Sequence, residues 1–319
     1  MHTRAALGLV SIVLAGFCTT GCRPEGVTSR PAGELQIVCT FLPVYVFTMN
    51  IVRDVPGVSA ALLVSADAGC PHHYSLRPAD LKRIADARLI LANGLGLEPF
   101  LDDLARANPR AKIVTVSGDC DALPTTQPAH GEHCEHEHHD RCDHGQDVNP
   151  HVWVSPRQAI RQVQAIARAL VEVDPSHADA YTRNSEAYVA RLQTLDAEMQ
   201  RVATRLSRRH IVTLHDAFAY LARDMGLNVV ATLQLEPGQE PSARRMAEII
   251  GLVRETKAVV FYEPGTSDRV ARTVARDAGA GLFPLNPLNT VPGEPAPDSY
   301  EKVMRENLRI LSEAMGGSS

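Results

Sequence analysis

LQIVCTFLPVYVFTMNIVRDVPGVSAALLVS, residues 35–65, decides the fold. Its first seven residues form an apolar run of strand length. Residues 43–55 follow with a helical period opened by Pro43, whose fixed φ suits a first helical turn. VSAALLVS, 58–65, reads as a second strand. The alternation continues with a helix over 78–87, a strand over 88–92, a helix over 98–107 and a strand over 111–117. Strands separated by helical segments pair in parallel, as βαβ units. The pattern restarts at His210, with strands at 210–215, 227–233, 257–262 and 280–285 and helices at about 216–225, 241–255, 266–278 and 298–314. The expected class is α/β: two lobes, each with a four-stranded, mostly parallel sheet flanked by helices.

Between these halves the period changes. Tyr181, Tyr188, Leu192, Leu195, Met199, Val202 and Leu206 fall mostly three and four apart, with charged residues on the other faces. This predicts one long linking helix over 176–207, roughly 45 Å at 1.5 Å per residue. A coiled-coil dimer would need the pattern to persist over more heptads, so the helix is read as a strut within a monomer. The organisation is then an N-terminal lobe over 34–175, the strut, and a C-terminal lobe over 208–319.

The N-terminus sets the compartment. Arg4 precedes a short apolar run, Ala5 to Phe17, which is too short for a membrane span and has the layout of an export signal over 1–22. Thr19-Thr20-Gly21-Cys22 resembles a lipoprotein cleavage site, with Thr19 where leucine is usual. Acylated Cys22 would anchor the chain to the membrane, and residues 23–33 would serve as a flexible tether. The chain is therefore expected to be periplasmic, or held on the outer side of the cytoplasmic membrane. A net charge of -5 without any dense basic block excludes nucleic acid as the expected partner. Beyond Cys18 and Cys22, five cysteines remain, at 39, 70, 120, 134 and 142, so one thiol stays unpaired whatever bridges form.

Residues 119–149 interrupt the first lobe with a stretch that has no apolar period. It carries His130, His133, His136, His138, His139 and His144, with Cys134 and Cys142 among them. Imidazole, thiolate and carboxylate together suit borderline-soft divalent ions, zinc above all. The stretch reads as an auxiliary loop that captures metal weakly; the plain alternative is a polar insert with no role.

In open parallel α/β sheets, ligands bind beyond the carboxyl ends of strands. His72 follows the second strand, His215 ends the first strand of the second lobe, and His151 lies just past the histidine-rich stretch. Asn286 follows the last strand. A lone histidine at a strand end is more often a hydrogen-bonded structural residue than a ligand. His2, His177 and His210 take that reading, His73 is set aside as a neighbour pointing differently, and Trp153 is read as packing beside the site. Tyr74, Glu98 and Asp216 are candidates for orienting the imidazoles.

Several separated motifs then carry a resemblance. Pro71-His72-His73-Tyr74-Ser75-Leu76-Arg77-Pro78-Ala79-Asp80, Asn93-Gly94-Leu95-Gly96-Leu97-Glu98, Asn149-Pro150-His151-Val152-Trp153 and His215-Asp216-Ala217-Phe218 occur in the order found in zinc-uptake substrate-binding proteins of metal ABC transporters. The chain resembles these cluster A-I periplasmic metal-binding lipoproteins from Leu35 to its C-terminus. The resemblance implies Zn2+ as transported ligand, held in the interlobe cleft by His72, His151 and His215 and delivered to a membrane permease. Where many members place an aspartate, this chain has Asn286, which leaves the fourth position to water, to Glu263 or to Asn286 itself. Three imidazoles without a certain carboxylate favour zinc over manganese. An adhesin or zinc chaperone is the alternative within the family. A zinc hydrolase is disfavoured, since H-E-x-x-H and G-x-S-x-G are both absent.

Overall fold

Strict alternation along four central strands builds the architecture. In β1 (Leu35–Cys39), Ile37 and Cys39 join one core and Val38 another; in β3 (Leu89–Ala92), Leu89 and Leu91 separate from Ile90 in the same way. β5 (His210–Thr213) and β7 (Val259–Tyr262) repeat the division, with Ile211, Val259 and Phe261 opposed to Val212 and Val260. All of these side chains are buried. Parallel strands covered on both faces must be apolar on both.

The computed structural model describes residues 34–66, 69, 71–125, 148–234 and 239–316. Two four-stranded sheets result. One has the order β2 (Val58–Leu62), β1, β3, β4 (Lys112–Thr115); the other has β6 (Asn228–Thr232), β5, β7, β8 (Leu282–Pro284). All six pairings are parallel, and the two strand orders correspond one to one.

Each sheet has an outer and an inner cover. Outside the first lie α2 (Pro78–Ile84) and α3 (Leu101–Ala107); outside the second lie α7 (Ala243–Thr256) and α8 (Arg269–Ala278). The inner cover is shared. α1 (Leu42–Ile51), α4 (Pro156–Val173), α5 (Ala178–Arg205), α6 (Ala219–Met225) and α9 (Ser299–Met315) contribute to one apolar core that runs through both lobes. Phe41 packs edge-on to Trp153 at 4.7 Å within the first lobe, and Phe47 packs edge-on to Tyr300 of the second at 5.1 Å between ring centres, so aromatic packing continues across the join.

The linking helix α5 packs against α1, α4, α6 and α9. Tyr181, Tyr188, Leu192, Leu195 and Met199 are its buried face. Arg191 ties the arrangement, donating to Glu301 on α9 (2.9 Å) and Asn50 on α1 (2.5 Å). The expected strut is therefore also a shared wall.

Some boundaries differ from the sequence reading. β2 stops at Leu62, and α3 starts at Leu101, after a turn in which Gly94, Leu95 and Gly96 adopt positive φ. α4 is an 18-residue helix that the sequence reading left unassigned. Pro156 starts it and the Ser155 hydroxyl caps it by accepting from the Gln158 amide at 3.3 Å. Cys39 is a buried free thiol, donating to the Thr48 hydroxyl at 3.3 Å, and burial pushes its pKa up to about 12. Cys22, Cys70, Cys134, Cys142 and the expected signal and tether lie outside the described residues. Among those described, no helix is long and apolar enough to cross a membrane, and Leu81 is the one large apolar side chain left exposed.

Candidate metal centre

The carboxyl ends of β5 and β7 are neighbours, and the strand order reverses direction between them. Each supplies one side chain to the crevice there. His215 lies two residues past β5, in extended conformation, with its carbonyl accepting from the Thr213 hydroxyl at 2.9 Å. Glu263 follows β7, and its carboxylate meets His215 Nδ1 at 2.5 Å with both side chains buried. In the first lobe, the equivalent crevice between β1 and β3 holds Glu98. It accepts from the Thr40 hydroxyl (2.6 Å) and the amides of Asn93 (2.8 Å) and Gly94 (3.0 Å). Gly94 has φ +83°, and a Cβ there would stand 2.8 Å from that of Thr115, so glycine is required. Asn93 then donates to the Pro150 carbonyl at 3.0 Å and so supports the loop that carries His151.

Three imidazoles meet between the lobes. His72, in a single helical turn at Pro71–His73, approaches His151 with Nε2 to Nε2 at 3.3 Å; His215 Nε2 approaches the same His151 nitrogen at 3.3 Å. His151 and His215 are nearly inaccessible, at 3% and 4% exposure. Two nitrogens on a tetrahedral zinc at about 2.0–2.1 Å are separated by about 3.3–3.4 Å. Both contacts have that length. The nitrogens form a string with His151 at its centre; no comparable contact joins His72 to His215, and the described residues contain no ready-made cage of three donors.

The far side of each ring explains why the near sides face one another. Asn149 Oδ1 lies 2.9 Å from His151 Nδ1 and accepts from the His151 amide at 2.9 Å, while Asn149 Nδ2 donates to the Asp216 carbonyl at 2.7 Å. A backbone donor and a backbone acceptor thus fix which end of the amide is oxygen. His151 Nδ1 must carry hydrogen, leaving Nε2 a bare lone pair. Glu263 does the same for a neutral His215. Two lone pairs 3.3 Å apart in a buried site repel unless a cation or a proton stands between them.

The electrostatics agree in direction. Burial, then positive charge on His215 and His72, holds the His151 pKa well below the ordinary histidine value. Burial also acts to lower that of His215, but the adjacent Glu263 carboxylate outweighs it and raises the pKa.

Several expected contributors do other work. Glu263 directs Oε1 to the far nitrogen of His215. Asn286 closes its own turn: Oδ1 accepts from the Leu288 amide at 2.8 Å, Nδ2 donates to the Thr290 carbonyl at 3.2 Å, and Asn307 brackets its backbone. Tyr74 donates to Asp80 at 2.7 Å. Asp216 takes part through its carbonyl. Trp153 packs fully buried with its ring 5.2 Å from that of His151, and donates across the join to the Pro287 carbonyl at 2.6 Å. His177 pairs with Asp174 at 2.7 Å, at the start of α5. Candidate loop ligands His130, His133, His136, His138, His139 and His144 lie outside the described residues. The sequence reading missed the role of Asn149, for which the only signal was an amide two residues before a candidate ligand.

Two parallel α/β lobes sharing one inner core, with three imidazoles converging where they join, make a two-lobed α/β protein with a histidine-lined crevice. The chain belongs to the family described as zinc-uptake complex component A, periplasmic, which matches residues 37–314. It is 31% identical over 296 residues to the high-affinity zinc uptake system protein ZnuA of Bacillus subtilis strain 168, covering 91% of each. It is 32% identical over 309 residues to the zinc-binding lipoprotein AdcA of Streptococcus pneumoniae R6, covering 95% of this chain. The chain spans 60% of the length of that lipoprotein. A crystal structure of ZnuA superposes with a TM-score of 0.76 at 27% identity, covering 89% of this chain and all of the other. The family is one of metal-uptake components.

Proposed function

We propose that this protein is the extracytoplasmic zinc-binding component of a metal-uptake ABC transporter. It captures Zn2+ with His72, His151 and His215 at the interlobe crevice and passes it to a membrane permease. The observation that carries this reading is the pair of 3.3 Å Nε2 contacts on His151, with hydrogen held away from the crevice by Asn149 and Glu263. Zinc suits the site because three neutral nitrogens are offered and no carboxylate oxygen, the donor that manganese prefers. Water completes a tetrahedron. The same set lacks a positioned general base, since Glu263 is engaged behind His215, which supports binding over hydrolysis.

The fate of the N-terminus belongs to this reading. Residues 1–22 direct export, acylated Cys22 anchors the chain, and the permease receives the ion at the membrane surface. Zinc titration against a chelator of known affinity tests the centre. One equivalent should bind tightly to the wild type, and His72→Ala, His151→Ala and His215→Ala should each weaken it by at least tenfold. Tight binding that survives all three substitutions would remove the crevice site.

A further inference from the structure

Asn149 is buried to 1% exposure and every polar group it owns is engaged. Its amide donates to the Leu123 carbonyl at 2.8 Å, and its carbonyl accepts from the Tyr220 hydroxyl at 2.7 Å. Its side-chain oxygen serves His151 twice, and its side-chain nitrogen reaches the Asp216 carbonyl. Asp216 directly follows His215, and Tyr220 lies on α6 of the second lobe. One residue of the first lobe thus grips the backbone next to one ligand and the ring of another.

We propose that Asn149 is a cross-lobe positioning residue: it fixes the hydrogen of His151 on Nδ1 and pins the His151 loop to the turn after His215, so that both lone pairs are set before an ion arrives. This rests on the crevice reading given above. A neutral imidazole exists in two tautomers, and only the one with hydrogen on Nδ1 offers Nε2 to a metal in this orientation. Without the amide oxygen the ring could turn or place its hydrogen on Nε2. Without the amide nitrogen the loop would lose its tie to the Asp216 carbonyl, and the spacing of the two ligands would slacken. Outer partners of this kind change metal affinity by about 10–100-fold. A preset site holds its ion longer, so the loss should appear mainly as faster release.

The test uses the full chain with zinc and with Co2+ as a spectroscopic probe. In the 15N-labelled wild type, His151 should carry its hydrogen on Nδ1 both without metal and with zinc; a metal-free His151 protonated on Nε2 would overturn the proposal without any variant being made. Asn149→Ala should still bind one zinc, release it about 10–100-fold faster, and show an altered Co2+ visible spectrum. Asn149→Asp keeps the acceptor but not the donor, so it should restore the Nδ1 hydrogen while still releasing zinc faster than the wild type. Release from Asn149→Ala at the wild-type rate, alongside a crippled His151→Ala, would sink the positioning role alone. An unimpaired His151→Ala would instead sink the crevice site itself.

Discussion

His215 is backed by a carboxylate and His151 by an amide, and the two should respond differently to substitution. Glu263→Gln preserves an acceptor for Nδ1 but removes the charge. Zinc affinity should fall by about tenfold, the low end for an outer partner, and the His215 pKa should drop, since the carboxylate is what raises it. Calorimetric titration reads the first and NMR titration the second; an unchanged affinity would mean that the charge behind His215 is immaterial. Trp153 is the only tryptophan in the chain and lies beside His151. Its fluorescence should change on zinc addition. Trp153→Phe should abolish that signal, keep zinc binding within a few fold, and cost about 1–3 kcal/mol by stranding the Pro287 carbonyl. His215 could be singled out from sequence because it sits just past a strand run, and His72 and His151 because of the motifs around them. What stands behind them could not, because Glu263 and Asn149 act across strands or lobes, and spacing along the chain carries no trace of that.

At the scale of elements, strands were legible wherever both faces were apolar, as in β1, β3, β5 and β7. α4 was not, for a physical reason. Its buried face includes Gln158 and Gln162, and Gln162 donates to Asn93 and Ser117, both at 2.9 Å. Polar residues at these two buried positions dilute the apolar stripe of Ala159, Val163, Ile166 and Leu170 without removing it. Residues 119–149 pose the opposite problem, since composition announces chemistry and says nothing of shape. The described ends of this stretch are close together: Pro124 and Val148 form an antiparallel bridge, and Tyr220 holds Leu123 and Asn149 at once. Shortening the segment should therefore leave the crevice intact. Deleting residues 130–144 should lower the number of zinc equivalents bound while the tightest one remains, as read by titration with mass spectrometry of the intact protein. Unchanged stoichiometry would refute a capturing role for those histidines.

On the proposed reading, metal, proton and fold are coupled through one crevice. The folded pKa of His151 lies well below the ordinary histidine value, so the unfolded chain binds more protons there and stability falls as pH drops below about 6.5. The folded pKa of His215 is raised, so its contribution is complete below about 6.5 and is lost as pH climbs through that raised value. The two signs predict a metal-free melting temperature that peaks near the ordinary histidine pKa, with His151→Gln flattening the acid side. Zinc at 100 times its dissociation constant should add about 2.7 kcal/mol, a rise of several degrees; a melting temperature indifferent to zinc would contradict binding at the join. The two lobes themselves were readable from the chain because their strand grammar repeats. Their fused interior was not, since helices that cover two sheets at once look no different in sequence from helices that cover one. The bareness of the exterior has its own outcome. Among the described residues Leu81 is the one large apolar side chain left exposed, so on the proposed reading docking of a permease at this surface would lean on charge and hydrogen bonds. Such a handover would be brief, would weaken as ionic strength rises, and would free the emptied carrier for another round.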